Sequence, residues 1–153
     1  MKGVIAGMDP VYSSSDPLWP PSGIRPGAPE RSELAAPGSV YDLYARGVAL
    51  LRDGHPHQAV TVLARAKARE PEKVSIREAL GRALFMSGHA RRARREFTKA
   101  VALQPTDDYA HFALALACER TGQRSRALGH AKLAQAMNPA VPAYGRALRR
   151  LTA

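Results

Sequence analysis

Arginine is the side chain whose number and spacing in this sequence first suggest chemistry. The stretch HARRARREF (residues 89–97) contains Arg91, Arg92, Arg94 and Arg95. Guanidinium groups bind phosphates and carboxylates through paired hydrogen bonds, so one hypothesis is a surface for nucleic acid or an acidic partner. The alternative is the solvated side of a helix whose buried side is formed by Ala93 and Phe97, because residues four apart share one face. The pattern favours the solvated helix face, and the binding surface is kept as the second hypothesis.

The histidines and the single cysteine offer little for catalysis or metal binding. His55 and His89 each follow a glycine, and His57 lies two residues after His55. Three imidazoles at adjacent turns could hold zinc only weakly, since no cysteine or carboxylate cluster completes a shell. Cys118 falls among periodic apolar positions and is predicted to be a small buried hydrophobe. The sequence contains no phosphate-binding loop, dinucleotide fingerprint, zinc-protease motif or serine-hydrolase motif. We therefore predict a protein that is not an enzyme, without metal or cofactor.

Charge is distributed unevenly along the chain. The 153 residues carry 23 Lys and Arg against 13 Asp and Glu, a formal net charge of +10. Residues 1–39 contribute −1 and residues 40–153 contribute +11, so the positive excess lies in the part predicted to be ordered. A basic surface favours nucleic acid, anionic membranes or acidic proteins. Arginine outnumbers lysine 18 to 5 and alanine is abundant, which a GC-rich genome also produces.

Compartment and topology follow from simple counts. One cysteine excludes an intramolecular disulfide. No run of about 18 apolar residues exists, so no membrane span is predicted. The opening MKGVIAGM is too short for a signal-peptide core, and either Met1 or Met8 could be the start. The cytoplasm is the expected location.

The segment 1–38 differs in composition from the rest of the chain. It contains seven of the twelve prolines and shows no apolar periodicity, so we predict that it is a disordered tail. Trp19, in DPLWPP, is either a docking motif or a chance residue. Ser39 with Asp42 three positions later predicts the capped start of a helix.

From position 40 onwards the sequence repeats at a constant interval, the one that separates Gly54 from Gly88 and Gly88 from Gly122. Glycine permits a tight reversal between two helices, and proline ends the second helix. Seven ungapped columns share the spacing: Gly54, Gly88 and Gly122; Pro71, Pro105 and Pro139; Ala59, Ala93 and Ala127; Ala66, Ala100 and Ala134; Leu63, Phe97 and Ala131; Gly47, Gly81 and Ala115; Leu50, Leu84 and Cys118. Each repeat predicts a helix A (40–53, 74–87, 108–121) and a helix B (56–70, 90–103, 124–137), and residues 141–151 predict a terminal helix.

These columns closely resemble the tetratricopeptide repeat (TPR) family. The second repeat matches best, with Leu80, Gly81, Leu84, Ala93, Phe97, Ala100 and Pro105. The family's tryptophan is replaced by Leu43, Arg77 and His111. The resemblance covers about residues 40–151. It implies an all-α solenoid over residues 39–151, with three helix pairs (about 40–73, 74–107 and 108–141) and a capping helix at 142–151.

In this family the helices A line the concave face and the helices B the convex face. The resemblance therefore implies a partner-binding groove on the helices A, for which the candidates are Tyr44, Val48, Arg52, Glu78, Arg82, Phe85, Tyr109, Phe112, Leu116 and Arg120. Aromatic residues and arginine are favoured at interface centres. Ordinary packing between repeats is the alternative for some of them.

The predicted function is a non-enzymatic scaffold that binds a protein or peptide in the concave groove. The alternative is binding of nucleic acid or an acidic partner through the four arginines at 91–95. One TPR subclass clamps the carboxylate of chaperone tails with lysine and asparagine. The matching positions hold Tyr44, Val48, Ala79, Tyr109 and Ala113, so that ligand is not expected.

Overall fold

The computed structural model describes residues 36–153, and the predictions for the tail and Trp19 lie outside these residues. Within this range the chain forms seven α-helices and no strand. The helices are α1 (Val40–Arg52), α2 (Pro56–Arg69), α3 (Val74–Met86), α4 (Ala90–Leu103), α5 (Asp108–Arg120), α6 (Arg124–Met137) and α7 (Pro142–Thr152). None of these helices is long and apolar enough to cross a membrane.

The helices pack as three consecutive pairs followed by a single helix. The A helices α1, α3 and α5 pair with the B helices α2, α4 and α6, and each B helix also contacts the helix that follows it. The last of these contacts is between α6 and α7. Each predicted helix in the pairs ends within one residue of the observed helix. The all-α fold of three helix pairs and a C-terminal helix is therefore confirmed.

Side-chain caps fix the start of two A helices. The Ser39 hydroxyl accepts a hydrogen bond from the Asp42 amide at 3.1 Å, as the sequence predicts. The Asp42 carboxylate in turn accepts from the Gly38 amide at 2.8 Å. On α5, the Asp107 carboxylate accepts from the Ala110 amide at 3.1 Å. Such caps satisfy amides that have no acceptor within the helix.

Glycine closes the turn between the two helices of each pair. Gly54, Gly88 and Gly122 have φ values of +80°, +85° and +80°, a region that only glycine adopts without strain. In the second repeat the Gly88 amide donates to the Phe85 carbonyl at 3.1 Å, and the His89 amide donates to the Leu84 carbonyl at 2.8 Å. This hydrogen-bond pattern is the Schellman motif, which stops the A helix and reverses the chain.

Within each pair, a small residue on helix A lies directly against a side chain on helix B. A Cβ atom placed on Gly81 would lie 2.6 Å from Phe97 Cε1, and one on Gly47 would lie 2.4 Å from Leu63 Cγ. The third repeat has Ala115 and Ala131 at these two positions, and both are buried. A large side chain on helix B thus requires glycine on helix A.

The first testable prediction concerns this contact. Gly81→Ala should destabilise the fold by about 1–3 kcal/mol, because the new methyl overlaps the Phe97 ring. Gly129→Ala is the matched control, since Gly129 is also helical and a Cβ there meets nothing within 4 Å. The control should be neutral or stabilising by up to about 1 kcal/mol. Urea unfolding measures both, and equal effects of the two substitutions would contradict the packing described.

Candidate functional site

The A helices stack side by side in one row, which is the face that the TPR resemblance implies to be concave. Helix α1 contacts α3, and α3 contacts α5, so equivalent positions on successive repeats are neighbours. The ten predicted groove residues all lie on these three helices. They differ in how far they are accessible.

Seven of the ten predicted groove residues are buried: Tyr44, Glu78, Arg82, Phe85, Tyr109, Phe112 and Leu116. Val48 and Arg120 are half-buried and Arg52 is exposed. Phe112 and Leu116, at 0% and 1% exposure, belong to the core, and contact of these two with a partner at the surface is excluded in this conformation. Tight stacking of the A helices encloses most of these side chains, which agrees with the alternative of packing between repeats for the buried ones. The assignment of the ten residues to a partner-binding groove stays a prediction. The accessible part of the predicted site is Val48, Arg52 and Arg120.

Helix α7 closes the C-terminal end of this face. The Tyr144 hydroxyl donates to the Asp108 carboxylate at 2.8 Å, and its ring lies 4.9 Å from that of Phe112. Arg150 makes two hydrogen bonds to Glu119, at 3.0 and 2.7 Å. Helix α7 thus extends the row of A helices beyond α5.

The four arginines at 91–95 lie on helix α4, as predicted, but they are not equivalent. Arg91, Arg92 and Arg95 are exposed, whereas Arg94 is half-buried. Arg94 donates from Nη1 to the Thr121 hydroxyl at 2.8 Å and so links α4 to the end of α5. Ala93 and Phe97, on the opposite side of the helix, are fully buried. The amphipathic interpretation of this stretch is therefore correct for Arg91, Arg92 and Arg95.

A buried ion pair in the second repeat was missed by sequence analysis. Arg77 stands where the TPR family has tryptophan, and its guanidinium lies 2.8 Å from the Glu96 carboxylate on α4. Lys67 of α2 reaches the other carboxylate oxygen, also at 2.8 Å. Arg77 Nε also donates to the Pro71 carbonyl at 2.8 Å. The three helices α2, α3 and α4 are therefore joined at Glu96.

The third repeat has two histidines at the positions of this ion pair. His111 and His130 stand one repeat after Arg77 and Glu96, and their Nδ1 atoms lie 3.0 Å apart. His111 Nε2 lies 2.8 Å from the Pro105 carbonyl and must donate to it. His111 Nδ1 is then the acceptor, and His130 donates from its own Nδ1.

In the first repeat the same two positions are apolar, with Leu43 and Val62 both buried. The position that holds tryptophan in the family is therefore occupied by a leucine, an arginine or a histidine, each matched by its partner on helix B. Reading positions 43 and 62, 77 and 96, and 111 and 130 together would have revealed these pairs from the sequence.

Residues 36–153 contain few other groups that could serve as a nucleophile or bind a metal ion. Cys118 is buried, and burial raises the pKa of its thiol, while Arg126 and Arg94 lower it by a smaller amount. A raised thiol pKa disfavours the nucleophilic thiolate. No group of three or more potential metal ligands occurs among these residues.

Sequence comparison identifies the family. Residues 61–137, half of the chain, match the model of the bacterial transcriptional activator domain, BTAD. The chain belongs to the BTAD family. No curated protein sequence is detectably similar to this BTAD chain.

Solved structures confirm that the BTAD chain has a TPR fold. The first TPR domain of Spaghetti (RPAP3), bound to an HSP90 peptide, superposes with a TM-score of 0.71 at 15% identity, over 79% of this chain and 96% of that one. The Sgt2 TPR domain of Aspergillus fumigatus gives 0.70 at 17% identity, over 80% and 83%. The Yersinia enterocolitica secretion chaperone SycD, in complex with a YopD peptide, gives 0.65 at 16% identity, over 79% and 92%.

The histidine pair predicts acid sensitivity of the third repeat. Burial lowers the pKa of His130, and the neighbouring charges of His111 and Arg126 lower it further. The folded protein disfavours protonated His130. The free energy of unfolding is therefore highest above the unfolded-state pKa of 6.5 and falls as the pH drops below it. We expect the thermal midpoint to fall between about pH 7.5 and about pH 5.5, the range in which histidine titrates.

The control for acid sensitivity transplants the pair from the second repeat. His111→Arg combined with His130→Glu should fold and lose most of this pH dependence, whereas His55, His57 and His89 remain as exposed histidines. An unchanged pH profile in the double variant would assign the effect to other groups.

The Glu96 ion pair generates a stability prediction. Glu96→Ala should destabilise the fold by about 2–3 kcal/mol, because two cations lose a buried partner. Arg77→Leu combined with Glu96→Val recreates the apolar pair of the first repeat and should recover most of that loss. Urea unfolding measures both variants. A loss below about 0.5 kcal/mol for Glu96→Ala would show that the pair contributes no more than an exposed one.

Proposed function

We propose that this BTAD chain is a non-enzymatic interaction module that holds a segment of a partner protein against the concave face of α1, α3 and α5. The observation that carries the proposal is the side-by-side stacking of these helices, which repeats equivalent positions along one surface. Such faces in helical-repeat proteins are extended binding surfaces. The cytoplasm is the proposed compartment, since the only cysteine is a buried free thiol.

Two proteins of the same fold support this proposal, because each was solved with a bound peptide. The Spaghetti (RPAP3) domain was solved with an HSP90 peptide, and SycD with a peptide of the translocator YopD. The ligand itself is not carried over to this chain. Tyr44, Val48 and Ala79 stand among the positions at which chaperone-binding TPR domains have their lysine and asparagine clamp, so a partner of another kind is proposed.

The accessible residues suggest the chemistry of the partner. Val48 and Arg52 lie on α1 and Arg120 on α5, so the surface offers one apolar and two cationic contacts. A short peptide or amphipathic helix with apolar and acidic side chains fits these contacts. Tyr44, Arg82, Tyr109 and the other buried candidates would be reached only if the concave face opens.

A second candidate function is binding of nucleic acid, or of an acidic partner, through the convex face. Arg91, Arg92 and Arg95 are exposed on α4, and no carboxylate within residues 36–153 pairs with them. Unneutralised arginines of this kind bind phosphates with strong salt dependence, because each contact releases counterions.

The two functions are separated by a pair of charge-matched variants. Val48→Glu with Arg52→Gln alters the concave face, and Arg91→Gln with Arg95→Gln alters the convex face. Each pair lowers the net charge by two. If the concave face binds, the first variant should weaken capture of the native partner about tenfold or more, while the second leaves it unchanged.

The measurement is quantitative pull-down at two salt concentrations, with folding checked by circular dichroism. Loss of binding in the convex variant alone, with steep salt dependence, would overturn the concave assignment in favour of the second candidate. Full binding by both folded variants would exclude both surfaces.

A further inference from the structure

A cleft of about 540 Å³ opens where the second and third repeats meet at their turns. One wall is the start of α4, with His89, Arg91 and Arg92, and the other is the end of α5, with Arg120 and Thr121. One wall belongs to α4, a helix B, and the other to α5, a helix A, so Arg120 is shared between the cleft and the concave face. The cleft joins arginines that sequence analysis assigned to two different surfaces.

The side chains that line this cleft include three arginines and no carboxylate. Arg91 and Arg92 are exposed and make no ion pair within residues 36–153. Arg120, which is half-buried, adds a third guanidinium from the opposite wall. The cleft therefore has a positive potential.

Backbone groups add to this potential. The first amides of α4 have no acceptor within the helix, and the side chain of the N-cap residue His89 does not cap them. The start of a helix of 14 residues also carries the positive end of its dipole. At the opposite wall, the last carbonyls of α5 are already occupied: Ala117, Cys118 and Glu119 accept from the amides of residues 121–123.

One hydrogen bond holds the two walls together. Arg94 Nη1 donates to the Thr121 hydroxyl at 2.8 Å, and that hydroxyl donates to the Ala117 carbonyl, also at 2.8 Å. Thr121 is the residue that ends α5 and also lines the cleft. This hydrogen bond therefore helps to fix the distance between Arg120 on one wall and Arg91 and Arg92 on the other.

The junction between the first and second repeats has no arginine at the equivalent positions. The residues one repeat before Arg91, Arg92 and Arg120 are His57, Gln58 and Met86. Arg94 corresponds to Val60, so that hydrogen bond has no counterpart there. The cationic cleft is therefore not a feature that the repeat pattern imposes.

We propose that this cleft binds a small molecule through a phosphate or pyrophosphate group. The exposed guanidinium groups of Arg91 and Arg92, with a row of free amides beside them, match the several oxygens and multiple charge of a phosphate better than the single charge of a carboxylate. The volume falls within the range of about 300–1,000 Å³ typical of small-ligand sites, so the phosphate carries a further moiety of modest size.

The test is a calorimetric titration of the full chain with pyrophosphate, in buffer whose ionic strength is held constant with chloride. We expect saturable binding at one site. Arg91→Gln with Arg92→Gln should weaken it about tenfold or more, since charge-assisted hydrogen bonds are lost. The matched control is Arg65→Gln with Arg149→Gln, two exposed arginines outside the cleft, which should change affinity less than about twofold.

Three outcomes would overturn the proposal. Absence of saturable binding at constant ionic strength would reduce the cleft to a general electrostatic attraction. Equal weakening by the cleft variant and the control would do the same. A single-stranded oligonucleotide that binds the wild type while pyrophosphate does not would replace the small ligand with nucleic acid.

Discussion

The approach of the two helices in each repeat is the constraint on which the rest of the structure depends. In the first and second repeats the backbone of helix A lies directly against Leu63 or Phe97, and there is no room for a methyl group on Gly47 or Gly81. The third repeat keeps the contact with Ala115 and Ala131, two smaller partners. This contact sets the spacing within each pair, and repetition of the pair sets the stacking of the A helices. The concave face and the cleft at the turns are both consequences of it.

A second set of contacts shows how the repeats can differ while the backbone stays the same. The pairs Leu43 with Val62, Arg77 with Glu96, and His111 with His130 fill one position in three chemical ways. Arg77 and His111 also donate to equivalent acceptors, the carbonyls of Pro71 and Pro105, the prolines that begin the turn before each helix. Loss of the family tryptophan is thus offset within each repeat by a matched partner on helix B, so the fold does not require that tryptophan.

Much of the fold could be predicted from the sequence, and less of the site. The constant repeat interval fixes the helices, because glycine and proline in register can only be turns and the alanine columns can only be contacts. Accessibility is different. Phe112 and Val48 both satisfy the pattern of a concave position, yet one is in the core and the other is half-exposed. A period gives the direction of a side chain but not how closely the neighbouring helix covers it. Arg120 was assigned to the concave groove for the same reason, although it also lines the cleft beside Arg91.

The three different inter-helix pairs make the array directional. In a linear array each repeat is stabilised mainly by its neighbours, so fraying begins at an end. Among residues 36–153 the imidazole pair belongs to the third repeat, and α7 packs on its helix B. Mild acid would therefore loosen the third repeat first, while the apolar and ionic repeats persist. High salt would act first on the middle repeat, through the exposed side of its ion pairs. One chain could then present surfaces of different length under different conditions, without any change in its sequence.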